Sequence, residues 1–75
     1  KIPLDDKIST IRQIAVMTDA GISITDTLGD VADNTENRGL KEIYSKMNSD
    51  INAGNSMSDA MEPYKDEFGQ IALAM

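Results

Sequence analysis

Cysteine, histidine and tryptophan are all missing from this chain of 75 residues, and the aromatic complement is one Phe and two Tyr. Without Cys there is no disulfide framework, which favours a reducing compartment. Without His or Cys there is neither a zinc-type site nor one of the usual nucleophile–base pairs. Cations are scarce too: 7 Lys and Arg stand against 13 Asp and Glu, a net charge of −6. Such a chain lacks the clustered Lys and Arg that grip a nucleic-acid backbone, and the basic face that seeks an anionic membrane. No apolar run approaches the roughly 20 residues of a membrane helix, and no signal peptide is visible.

What the chain does have is one short stretch written twice. Ala20-Gly-Ile-Ser-Ile-Thr-Asp-Thr-Leu28 returns as Ala53-Gly-Asn-Ser-Met-Ser-Asp-Ala-Met61. Gly21, Ser23 and Asp26 pair with Gly54, Ser56 and Asp59, each at an offset of 33. Glycine suits the position just past a helix end, where φ is commonly positive. Serine two residues on can accept from the free N–H groups of the next helix, for about 1 kcal/mol. The aspartate three residues later can reach back as in a capping box and suits the positive helix end. The expected fold is all-α: a small bundle of four to five antiparallel helices, built from two similar helix–Gly–Ser-cap–helix hairpins and occupying residues 1–75 as one domain. At this length folding hides only about 60% of the unfolded surface, so stability is thin.

Taken in order, Ile2-Pro3-Leu4 predicts an extended lead-in, with Asp5 or Asp6 as the cap of the first helix. Leu4, Ile8, Ile11, Ala15 and Thr18 follow helical spacing with Ile14 on the flank, while Val16 and Met17 fall outside that arc. A helix apolar on more than one side lies centrally or faces a second partner; the central position is the plainer expectation. A second helix is predicted from about Ile24 to Thr35, with Ile24, Leu28, Val31 and Ala32 inward and Asp26, Asp30 and Asp33 outward. With Glu36 these acids form a strip that reads most simply as a solvated face, and more sharply as a docking strip for a basic partner or a weak divalent-cation site. Asn34 to Gly39 is expected to turn. A third helix is predicted over about Leu40 to Asn52 with Leu40, Ile43, Tyr44, Met47 and Ile51 on one stripe and a Glu42–Lys46 pair. A short fourth helix from Ser56 ends before Pro63, and a last one begins near Asp66 or Phe68. The methionines read as core filler rather than a peptide-binding surface.

Several chemistries fail on spacing. Asp33 to Asn37 opens like a calcium loop, but Arg38 holds the glycine position and Tyr44 that of the bidentate glutamate. Ser23 and Ser56 each follow Gly-x, but the second glycine of a nucleophile elbow is missing and no base is at hand. No phosphate-binding glycine loop occurs. The carboxylates are scattered along solvent faces rather than paired in a cleft, so an enzyme is not expected, and no cofactor or metal ligand is assigned. Two rivals remain. An acyl-carrier-like protein fits the size and acidity, with Asn55-Ser56-Met57 loosely like an attachment site, although Ser56 comes late and lacks the preceding aspartate. A helical-repeat module of TPR or ankyrin type fits the 33-residue period, but two copies are few and neither consensus is present.

Arg12-Gln13-Ile14-Ala15-x-Met17-x-x-Ala20-Gly21-Ile22-Ser23-Ile24, followed by Leu28, resembles the RQLA-x-L-x-x-AGLPL…AL signature of the GspF/PilC-type inner-membrane platform family of type II secretion and type IV pilus machines. Ile51-x-x-Gly54-x-Ser56-Met57-Ser58-Asp59-Ala60-Met61 is similar to that family's I-x-x-G-x-S-L-S-E-A-L segment, and Phe68 with Ile71 to Met75 to the start of its next helix. The resemblance covers residues 8–75. Thr10, Ser23 and Gly69 depart from a common aromatic, a frequent proline and a usual proline, in keeping with a divergent member such as the type IVb pilus branch. Lys1 in place of Met, the uncapped apolar run at the end and the missing GE-x-SG-x-L segment lead us to expect an excised piece, with the final part of the bundle left out. The resemblance implies a first cytoplasmic domain, on the cytoplasmic face of the bacterial inner membrane, of a polytopic protein that couples the assembly ATPase to pilin extraction or polymerisation. It implies contacts with that ATPase, with other platform components and with a second copy as a dimer. A cation site is known in some members, but its ligands match no positions here.

Overall fold

The computed structural model describes residues 2–74, with side chains described through Gly69. Five α-helices follow one another: α1 (Leu4–Asp19), α2 (Ile24–Asn34), α3 (Arg38–Asn52), α4 (Met57–Met61) and α5 (Lys65–Ala74), with a 3-10 turn at Glu62–Tyr64 before the last. No strand occurs among the described residues. The radius of gyration is 11.5 Å, close to the roughly 11 Å that a folded chain of this length needs.

The packing is centred on α2 against α3, with α1 laid on α2, α4 on α3, and α5 returning to α1. The amphipathic stripes give the core directly. Leu28, Val31 and Ala32 of α2 meet Leu40, Ile43, Tyr44 and Met47 of α3, joined by Ile14, Ala60 and Phe68. The Tyr44 and Phe68 rings lie 6.1 Å apart at 30°, within the range of favourable aromatic pairs.

Both repeated corners close in the same way. After α1, the Gly21 N–H donates to Thr18 O and the Ile22 N–H to Met17 O; after α3, the Gly54 N–H donates to Ile51 O and the Asn55 N–H to Asp50 O. These paired bonds define the Schellman motif, whose glycine must take positive φ; Gly21 has φ 90° and Gly54 φ 107°.

Several expectations shift. The helix α1 starts at Leu4 with Pro3 in the cap position and no side-chain cap; Asp5 and Asp6 sit in the first turn instead, where they favour the positive helix end. It is also rotated from the expected stripe, burying Lys7, Thr10 and Ile14, while Leu4, Ala15 and Thr18 are exposed and Ile8, Ile11 and Met17 half-buried. So α1 is not central. Its polar residues turn inward because each finds a partner there, whereas spacing rules assign Lys and Thr to solvent. Asn37 caps α3 by accepting from the Leu40 N–H at 3.0 Å, so that helix begins two residues earlier than its apolar stripe. Lys46 pairs not with Glu42 but with Asp50, at 3.2 Å; Asp50 is the half-buried carboxylate of the two, so a cation there replaces more lost hydration. The short fourth helix ends at Met61, before Pro63, as expected; Pro63 then sits in the first turn of the 3-10 segment, where no N–H is needed, and α5 starts at Lys65. The apolar pattern from Ile71 onward lies outside the described side chains.

Candidate functional site

The serine half of each cap is present. Ser23 Oγ accepts from the Asp26 N–H at 3.2 Å and Ser56 Oγ from the Asp59 N–H at 3.1 Å. The reciprocal half is not: among the described residues neither Asp26 nor Asp59 bonds back to its serine N–H, an aspartate being one methylene shorter than the glutamate of a capping box. All six residues of the two corners are solvent-exposed.

Asp26, Asp30, Asp33 and Glu36 are exposed as well, and among the described residues none of them takes part in an ion pair. The four are not equivalent. Asp26 lies in the first turn of α2, where the dipole welcomes it. Asp30 and Asp33 lie in the C-terminal half, where a carboxylate opposes the dipole, and the last turn carries no basic residue. A cation is borrowed from α3: Lys41 Nζ donates to Ala32 O at 2.6 Å and to Asp33 O at 3.4 Å. Asp30 accepts from Asn34, whose Nδ2 donates to its Oδ1 at 3.1 Å. Neither acid packs in the core or takes part in an ion pair among the described residues.

A buried polar seam joins α1 to the far end of the chain, and spacing alone did not reveal it. Lys7 is 2% exposed, and its Nζ pairs with Glu67 Oε1 at 2.7 Å and donates to Glu67 O at 3.2 Å. One turn on, Thr10 Oγ1 and the Tyr44 hydroxyl share a hydrogen bond of 2.7 Å, and the threonine also reaches Asp6 O and Lys7 O. Burial pushes the Tyr44 hydroxyl above its usual pKa of about 10, and the Thr10 bond draws it part of the way back.

Between α1 and α2 runs an open groove of about 860 Å³. Ile8, Val16 and Met17 supply its apolar lining, and Asp5, Arg12 and Asp30 its charges. It shares Ser9, Gln13 and Asn34 with a polar cleft of about 330 Å³ that carries Asp6 and Glu36. Among the described residues no three Asp, Glu, His or Cys side chains are grouped to hold a metal ion, and no helix is long and apolar enough to cross a membrane.

Residues 10–75 match the family described as type II secretion system (T2SS), protein F. The chain is 33% identical over 54 residues to the type IV pilus assembly protein PilC of Thermus thermophilus, a match that takes in 72% of this chain and 13% of that protein. No solved structure matches it.

Proposed function

The chain belongs to the type II secretion system protein F family, and on that premise we propose that it is the first cytoplasmic domain of an inner-membrane platform protein. In this reading it is a non-enzymatic scaffold that couples the assembly ATPase to pilin assembly in a type IV pilus or to type II secretion. Its partners are that ATPase, other platform components and a second copy of itself.

One observation carries the reading. Asp30 and Asp33 stand exposed and without ion pairs in the half of α2 where the dipole disfavours them, while the opposite side of the same helix is fixed in the core through Leu28, Val31 and Ala32. An exposed acidic face outside the core, mounted on a helix anchored in it, suits contact with a basic partner surface and the passage of force through it. Size-exclusion chromatography with light scattering, with and without the N-terminal domain of the partner ATPase, tests this. Co-elution that is lost in Asp30→Lys/Asp33→Lys supports the proposal; co-elution indifferent to the reversal removes the acidic face from it.

A further inference from the structure

We propose that the α1–α2 groove seats an amphipathic, net-basic helix of a partner protein. The idea rests on the platform reading only in supposing that a protein partner exists. Val16 is 69% exposed in the C-terminal part of the sixteen-residue α1, on an outward position at which a surface helix ordinarily carries a polar residue. Met17 lies half-buried next to it, and Ile8, also half-buried, lines the same groove two turns back along α1, so the exposed apolar surface is more than one stray side chain. Ile8, Arg12 and Val16 follow one another at i, i+4 and i+8 along α1, a row of about 12 Å at 1.5 Å per residue. Two turns of a partner helix, offering apolar residues at i and i+3 or i+4, match that length.

Charge decides which helix. Along the groove and its polar continuation Asp5, Asp6, Asp30 and Glu36 face one cation, Arg12. Lysine or arginine on the flanks of the incoming helix would meet these carboxylates. Arg12 makes no ion pair within the chain among the described residues; it stands mid-row, where an acidic or amide acceptor on the incoming helix would set the register. The same charges disfavour the other occupants. An anionic lipid surface would face four carboxylates, and a second copy of a chain with net charge −6 would bring like charge to like.

The probe is a synthetic leucine–lysine amphipathic peptide of about 18 residues, long enough for five helical turns, titrated into the 15N-labelled chain at roughly physiological ionic strength. Amide shifts should concentrate on residues 5–17 and around Asp30. Val16→Ser, at an exposed position and free of added charge, should leave the thermal melt unchanged and weaken binding about tenfold, a loss of about 1.4 kcal/mol. Asp5→Asn/Asp30→Asn should flatten its salt dependence. The proposal is overturned if the peptide does not bind at millimolar concentration, or if it binds Val16→Ser as well as wild type with shifts spread over the acidic surface. It is also overturned if the groove resonances respond to the chain's own concentration or to anionic vesicles instead of the peptide. Because the peptide replaces the natural partner, failure here leaves the ATPase experiment intact, and failure there leaves the groove intact.

Discussion

Tyr44 shows how one hydroxyl is tied into a small core. It is fully buried, its oxygen satisfied by Thr10, and its proton is held more tightly in the folded state than in the unfolded one. The sign of the linkage follows. Below the unfolded tyrosine pKa of about 10 both states keep the proton and the contribution is intact. As pH rises through that value and on through the raised folded one, the unfolded chain sheds the proton first and stability falls. Tyr44→Phe should cost about 1 kcal/mol at neutral pH, since Thr10 keeps its two carbonyl partners. It should also remove the Tyr44 share of the alkaline loss, as seen by denaturant midpoints across that range. Thr27 is the opposite case: fully buried, with an Oγ1 that has no hydrogen-bond partner among the described residues. Leaving such a group unmade costs about 1–3 kcal/mol, so Thr27→Val should raise the urea midpoint, and a lowered midpoint would mean that the hydroxyl is satisfied in solution.

At the level of the element, the two corners decide where the helices stop. A Cβ added at Gly21 or Gly54 meets nothing within 4 Å among the described residues, so replacement acts through backbone strain. Gly21→Ala and Gly54→Ala should each cost about 1–2 kcal/mol, and asparagine, more tolerant of positive φ, should cost less; equal losses for both would point to a steric cause instead. The corners, the helix order and the inward stripes of α2 and α3 are legible in the sequence because they depend on residues within a turn or two of one another. Asn37 falls in the expected turn: an asparagine three residues before the first stripe residue, Leu40, is a cap signal, but the Arg38-Gly39 pair between them looks like loop and hides it. The inward face of α1 was not legible. Its determinants sit 60 residues away at Glu67 and 34 away at Tyr44, and no local period reports such pairings. Lys7, taken alone, is a solvent residue.

For the whole molecule, two sides of one small bundle carry different work. The Lys7–Glu67 pair and the Thr10–Tyr44 bond close α5 and α3 onto the inner side of α1, while the outer side of α1 and the acidic face of α2 are left to solvent. Of the outer side, the acidic strip is visible in the spacing of Asp26, Asp30 and Asp33, and Val16 already falls outside the expected stripe of α1; the groove itself is not visible, since Ile8 joins Val16 in it only once α1 is rotated to bury Lys7, Thr10 and Ile14 instead. The central claim is that the C-terminal half of α2 presents its acids to a partner and not to the fold. Charge reversal, Asp30→Lys/Asp33→Lys, introduced into the full-length protein, tests it most directly by following pilus or secretion assembly. Lysine at those positions agrees with the helix dipole, so the reversal should leave far-UV helicity and the melting midpoint of the domain unchanged or slightly improved. Assembly should nevertheless be lost or strongly reduced. Full assembly with the reversal in place would contradict the claim and return the strip to an ordinary solvated face.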